Sequence, residues 1–318
     1  MTQDHAGISP AFVESIAGLS AGSIATLVVH PLDIVKTRMQ IHRSSPASPQ
    51  NLTTISLIRT LTQTQHPVAS LYRGLTPNLL GNATSWASFF FFKARVERAI
   101  LTFKTPPGNS DVSLSPQDYF VASGVAGLVT QALTNPIWVL KTRMLSSDRS
   151  AAGAYPSMWA GAAQLFRDEG WRGFYRGLGI GMVGVTHGAV QFAVYDPIKR
   201  MYFARRKRLR KPEELDSLEK QGMSVPATLV ISSFAKLVAG AVTYPYQVIR
   251  SRLQNYNAEE RFGRGIQGVV RRTWTEEGWR GFYRGVIPGV VRVLPATWVT
   301  FLVYENMKFY LPRWTSVG

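Results

Sequence analysis

One pattern occurs three times along this chain, and that repetition limits what it can fold into more than any other feature. Pro31-Leu-Asp33-Ile-Val-Lys36-Thr-Arg38-Met-Gln40, Pro136-Ile-Trp138-Val-Leu-Lys141-Thr-Arg143-Met and Pro245-Tyr-Gln247-Val-Ile-Arg250-Ser-Arg252-Leu-Gln254 share one frame, a proline with bases five and seven positions on. The prolines lie 105 and 109 residues apart. A second signature follows each copy: Tyr72-Arg73-Gly74, Tyr175-Arg176-Gly177 and Tyr283-Arg284-Gly285. Its lead-in is Glu169-Gly170 in the second copy and Glu277-Gly278 in the third, but His66-Pro67 in the first. Two motifs recurring in register define three units of about 100 residues, well above the length of a solenoid repeat. We place them at 8–105, 112–208 and 222–314, with a basic-then-acidic connector over 203–222.

Within each unit one long apolar stretch contains the proline motif and another follows the Tyr-Arg-Gly motif. The six stretches, near 12–41, 76–101, 116–145, 178–204, 224–254 and 286–310, are each long enough as helices to cross a hydrocarbon core of about 30 Å. The pattern predicts an all-α membrane protein of six transmembrane helices. None is uniformly apolar: Ser20, Ser23, Thr26 and His30 punctuate the first, and Gln131 and Thr134 the third. Helices of that kind suit lipid on one side and a watery cavity on the other. Gly18 with Gly22, and Ser123 with Gly127, are small-residue pairs that predict close helix approach. The segments 42–75, 146–177 and 255–285 read as basic loops.

Charge narrows the function. The chain has 36 Lys and Arg against 19 Asp and Glu, a net +17, yet only 17% of its residues are charged. Nucleic acid or an anionic membrane with an anionic small molecule would answer that excess. Long stretches with few charges, and bases gathered in loops and helix ends, exclude a soluble nucleic-acid binder. An enzyme is excluded by the scatter of His5, His30, His42, His66 and His187 and by the lack of a paired-carboxylate or phosphate-cradling motif. Absence of cysteine removes thiolate zinc sites and disulfides. Bases on both sides of the proposed membrane leave the orientation unset, and Asp4 and Glu14 interrupt any cleaved presequence.

Proline inside a helix removes a backbone hydrogen bond and kinks it. Equivalent kinks at Pro31, Pro136 and Pro245 would draw three helix ends together, where charged residues such as Asp33 and Lys36 could join into a ring closing one end of a cavity. A base beside a helix C-terminal dipole would explain Lys36, Lys141 and Arg250 singly, but not their threefold recurrence.

These motifs resemble the signature of the mitochondrial carrier family, P-x-[D/E]-x-x-[K/R]-x-[K/R] followed by acidic-Gly and aromatic-basic-Gly elements. The resemblance implies a pseudo-threefold, barrel-like bundle in the mitochondrial inner membrane, with both termini in the intermembrane space and a central site open alternately to either side. Carried onto this sequence, the matrix-side gate pairs Asp33 with Lys141, whereas Trp138 stands where an acid should face Arg250, and Gln247 replaces the acid opposite Lys36. One full ion pair of three remains, with a Gln247 to Lys36 hydrogen bond. Gln40 and Gln254 match the family's glutamine braces, and Leu145 does not. On the other side Tyr195-Asp196-x-x-Lys199 and Tyr304-Glu305-x-x-Lys308 fit the family's second gate, while Phe92-Lys93 departs from it.

Seven residues beyond each Tyr-Arg-Gly glycine lie Gly81, Gly184 and Arg292, which match the family's three substrate contact points. Gly184-Val185 resembles the small-plus-aliphatic pair of nucleotide carriers, and Arg292 would meet phosphate or carboxylate. Lys236, an ionisable group deep in the fifth helix, is a further candidate, as are His187 and Gln191 nearby. Trp86 and Trp298 could stack on a ring system, and Asn82 joins the set. Phe89 to Phe92 read as a lipid-facing or packing run. The second and third proline motifs and the run from Arg292 to Asn306 look like the branch handling FAD and folate. The resemblance therefore implies a FAD transporter, with folate a further substrate and NAD or pyrimidine nucleotides the alternative. It implies no prosthetic cofactor and no metal, a monomer, and contact with a membrane lipid such as cardiolipin.

Overall fold

The computed structural model describes residues 10–43, 52–104, 114–149, 151, 153–208 and 223–315. Most of the 203–222 connector lies outside the described residues. Fourteen helices are described: α1 (Pro10–Ile41), α2 (Thr54–Thr62), α3 (Pro67–Leu71), α4 (Leu75–Lys104), α5 (Pro116–Ser146), α6 (Met158–Phe174), α7 (Leu178–Val183), α8 (Thr186–Arg208), α9 (Val225–Val242), α10 (Tyr244–Gln254), α11 (Ala258–Phe262), α12 (Gly265–Gly281), α13 (Val286–Val291) and α14 (Val293–Thr315).

Six spans emerge from these. α1, α4 and α5 are single helices; α7 with α8, α9 with α10, and α13 with α14 are paired segments. α1, the α7–α8 pair and the α13–α14 pair are long and apolar enough to cross a membrane, and so are α9 and α10 taken together. α4 and α5 have the length, at 30 and 31 residues, but carry more polar side chains. The last span of each repeat packs along the first span of the next: α4 on α5, α8 on α9, and α14 back on α1, which closes the ring.

Three predicted features differ. The expected basic loops contain helices, among them α2, α6 and α12, which bury Leu57, Leu61, Leu165 and Val269. The third proline motif breaks its helix outright: α9 and α10 meet at 57°, with Pro245 in the first turn of α10 and Thr243 between them. Proline there needs no N–H partner, whereas Pro31 and Pro136 sit inside continuous helices. The sixth span breaks at Arg292, three residues before Pro295, whose missing N–H leaves the Val291 carbonyl without its helical donor. The small-residue prediction divides. A Cβ at Gly127 would lie 3.1 Å from Val185, a close approach, but one at Gly18 or Gly22 would meet nothing within 4 Å.

Burial concentrates at the proline-motif end, in three clusters related by the repeat. Ile34 and Val35 pack with Leu57 and Leu61; Val139 and Leu140 with Met158 and Leu165; Ile249 and Leu253 with Phe262 and Val269. Each takes one residue from the next repeat: Leu145, Tyr256 and Ile41 respectively. Leu145 is therefore a core residue where its two counterparts are glutamines. Elsewhere on the spans large apolar side chains such as Phe120, Phe192 and Leu302 are exposed, as lipid contact requires.

Candidate functional site

The residue before each motif proline is polar, and each fastens the two signatures of its own repeat together. His30 Nε2 bonds the Arg73 carbonyl at 2.9 Å, Asn135 Nδ2 donates to the Phe174 carbonyl at 2.8 Å, and Tyr244 Oη donates to the Arg284 carbonyl at 3.1 Å. The carbonyls belong to or adjoin the Tyr-Arg-Gly turns, whose glycines Gly74, Gly177 and Gly285 all have left-handed φ of 71°, 71° and 79°. Only glycine takes that conformation without strain.

The bases at the seventh position join one repeat to the next. Arg38 Nε donates to the Leu145 carbonyl, Arg143 Nε to the Gln254 carbonyl and Arg252 Nε to the Gln40 carbonyl, each at 3.1 Å. The three bonds form a closed cycle. Arg143 also pairs with Glu169 at 2.6 Å and Arg252 with Glu277 at 2.7 Å, so the acidic-Gly motif is the partner of this base. Those carboxylates in turn hold Arg176 and Arg284. In the first repeat, where His66-Pro67 replaces Glu-Gly, Arg38 turns to Asp148 at 2.7 Å and Arg73 to the carbonyls of Met144 and Tyr155. His42, just past α1, accepts from Arg284 at 2.7 Å. Burial and that guanidinium hold its imidazole below the ordinary range, which keeps it a neutral acceptor.

Above this cycle lies a polar cavity of about 250 Å³. All eight predicted gate residues of this end line it: Asp33, Lys36, Gln40, Trp138, Lys141, Gln247, Arg250 and Gln254. Lys141 Nζ lies 3.7 Å from Asp33, and Lys36 donates to Gln247 Oε1 at 2.8 Å. Gln40 donates to Tyr244 Oη at 3.1 Å and accepts from Ser251 at 2.8 Å, while Gln254 accepts from Thr142 at 2.9 Å. Trp138 Nε1 donates to Thr134 Oγ1 within α5, and Lys141 sits 4.8 Å above its ring.

Of the predicted substrate contacts, Arg292 and His187 reach this cavity. Arg292 is not free there: it forms an ion pair with Asp33, which also accepts from Asn78. His187 Nδ1 is 2.8 Å from Thr243 Oγ1, at the break between α9 and α10. The glycine contacts are covered by aromatic rings. A Cβ at Gly81 would lie 3.4 Å from Trp138, and one at Gly184 would lie 3.0 Å from Tyr246. Val185 packs on Gly127, and Asn82 donates to Thr26 Oγ1 at 3.0 Å, a bond between α4 and α1. Gln191 and Lys236 do not line the cavity, although Lys236 is within electrostatic reach of His187. Trp86 stacks on Phe90 of its own helix, and both Trp86 and Trp298 are exposed. Sequence reasoning missed Tyr246, Thr142 and Ser251, which line the cavity. The signal for Tyr246 was its place one helical turn before Arg250.

The opposite end is differently built. Lys93 pairs with Glu97 on its own helix at 3.0 Å and lies over Tyr119. Lys199 and Lys308 lie over Tyr195 and Tyr304, the aromatics of their own motifs, and Phe92 makes an edge contact with Phe91. Among the described residues no ion pair joins Lys93, Asp196, Lys199 or Glu305 to a neighbouring helix. One end of the ring is cross-linked through all three repeats, whereas among the described residues the other end carries one inter-repeat ion pair, Lys104 of α4 with Asp118 of α5 at 2.7 Å.

A closed ring of six spans around a polar cavity, built from three repeats and fastened at one end, is the architecture of a membrane transporter. The sequence model of the mitochondrial carrier protein family matches residues 9–104, 112–206 and 221–313. The chain belongs to the mitochondrial carrier family. It is 36% identical to the mitochondrial FAD carrier protein of Saccharomyces cerevisiae, over 95% of this chain and 98% of that protein. A chloroplastic folate transporter of Arabidopsis thaliana is 32% identical, with 92% of each chain covered. A mitochondrial nicotinamide adenine dinucleotide transporter of the same plant is 31% identical, over 96% of this chain and 81% of the relative.

Proposed function

We propose that this carrier moves FAD across the mitochondrial inner membrane by alternating access. The observation that carries the reading is the 36% identity to a FAD carrier across nearly the full length of both chains. The cavity supports it chemically. FAD joins flat rings to a diphosphate, and the cavity sets Trp138 and Tyr246 beside Lys36, Lys141, Arg250 and Arg292. FAD is cargo here and not a prosthetic group.

In this reading the proline-motif network is the matrix-side gate, closed, and the cavity faces the intermembrane space. Arg292 is a substrate contact that Asp33 occupies until an anion arrives; Lys236, His187 and the backbone at Gly81 and Gly184 complete the path. Substrate contacts offset the cost of opening one network, and the other then forms. Folate, with flat rings and carboxylates, suits the same groups.

Uptake of labelled FAD, folate, NAD and a pyrimidine nucleotide into liposomes holding the purified carrier tests the proposal. Saturable FAD uptake is expected, abolished by Arg292→Ala and by Lys236→Ala in folded protein. Normal uptake by both variants removes the proposed contacts; entry of NAD or the pyrimidine nucleotide without FAD replaces the substrate and leaves the fold.

A further inference from the structure

Arg250 is the one base of the gate motif that the network leaves without a partner. Its Nε and Nη2 are shut off from solvent and hydrogen bond to no described residue. Lys141 has Asp33, and Lys36 has Gln247. The position from which an acid would answer Arg250 holds Trp138, whose Nε1 is spent within its own helix. An unpaired guanidinium out of water is costly. Lys141, a second cation within electrostatic reach, adds to that cost.

The surroundings fit an anion of a particular shape. Four cations line the cavity, Lys36, Lys141, Arg250 and Arg292, against the single carboxylate of Asp33, which Lys141, Arg292 and Asn78 already share. The Arg250 guanidinium lies against Gly181, where a Cβ would stand 3.4 Å from Nε and from Cζ. A planar fork held in that way suits two phosphate oxygens better than a point charge does. Trp138 and Tyr246 line the same cavity and offer ring faces to whatever the phosphate carries. At about 250 Å³ the cavity is smaller than the roughly 300–1,000 Å³ of whole-ligand pockets, so it takes one end of a long ligand.

We propose that Arg250 anchors a diphosphate group of the transported molecule at the closed floor of the cavity, between Trp138 and Tyr246. This deepens the transport reading and rests on it for the identity of the cargo. The anion fills the role of the acid that the second repeat lacks, and the gate residue becomes a specificity-determining one.

The test is thermal unfolding of the purified full-length carrier in detergent, titrated with inorganic pyrophosphate and, at equal ionic strength, with glutarate. Pyrophosphate is expected to raise the Tm of the wild type. Arg250→Gln should weaken that effect about tenfold or more, the consequence of losing charge-assisted hydrogen bonds. Trp138→Asp, which sets a carboxylate against Arg250, should weaken it comparably, and this second variant carries the test if Arg250→Gln does not fold. Equal pyrophosphate protection of the wild type and both variants, or none of the wild type, overturns the proposal. Glutarate protecting as well as pyrophosphate overturns the diphosphate assignment. FAD uptake into liposomes separates the two readings: no uptake with intact pyrophosphate protection counts against FAD alone, and uptake without protection counts against Arg250 alone.

Discussion

Arg252 and Glu277 show what one residue at the fastened end contributes. Their side chains are 1% and 2% exposed and 2.7 Å apart, and Arg252 also reaches Gln40 and Thr273. Removing one partner of a buried pair strands the other charge, at roughly 3–5 kcal/mol. Glu277→Gln should therefore lower the Tm sharply, because it strands the buried Arg252 and also takes the partner from Arg284, whereas Arg252→Met should cost less, since Glu277 keeps Arg284. An unchanged Tm in Glu277→Gln would show that the pair holds nothing. The pairing at Arg38 is the contrast, because Asp148 is half exposed and surface ion pairs contribute about 1 kcal/mol or less. These roles were only partly legible in the sequence. The Lys36–Gln247 bond and the Asp33–Lys141 pair follow from residue types at matched positions. The cycle through the carbonyls of Gln40, Leu145 and Gln254 does not, since a backbone acceptor carries no side-chain signature.

Among the elements, α6 and α12 connect the two spans of their repeats, and each bends at the glycine of its acidic-Gly motif. Gly170 has φ 62° and ψ −158°, and Gly278 has φ 63° and ψ −159°, a region open in practice to glycine alone. A Cβ at either would touch nothing within 4 Å, so Gly278→Ala isolates the backbone term, about 1–3 kcal/mol of destabilisation. Gly124→Ala in α5, also free of neighbours and without positive φ, should be neutral or slightly stabilising. Similar melting of both variants would refute the conformational account. The first repeat escapes the requirement with His66-Pro67, and Pro67 starts α3 in its place. The repeat of Glu-Gly was visible in the sequence, but its reason was not, because the charge-rich segments around it read as loops. Their apolar residues carry no membrane-span pattern, and it is the tertiary clusters at Leu165 and Val269 that make them helices.

Taken whole, the molecule is a cycle with unequal bonds. The backbone-directed arginines repeat without exception around it, while the cavity-facing network keeps one carboxylate pair, at Asp33, and two substitutions, Trp138 and Gln247. The threefold plan and the surviving gate bonds were legible because they lie in spacing and residue type; the turn of Arg292 to Asp33 had to be seen in space. If opening this end limits turnover, restoring the missing acids should slow it, by about tenfold for each 1.4 kcal/mol added to the closed state. Gln247→Glu, facing Lys36 at what is now a 2.8 Å hydrogen bond, should lower the maximal uptake rate about tenfold or more and raise KM less than Trp138→Asp does, because its carboxylate answers Lys36 and leaves Arg250 untouched. Trp138→Asp should lower the rate and raise KM, since its carboxylate competes with the substrate's anion for Arg250. Initial rates of uptake over a range of substrate concentrations separate the two. A Gln247→Glu carrier as fast as the wild type would mean that some other step, such as closure of the end bearing Asp196 and Glu305, sets the rate.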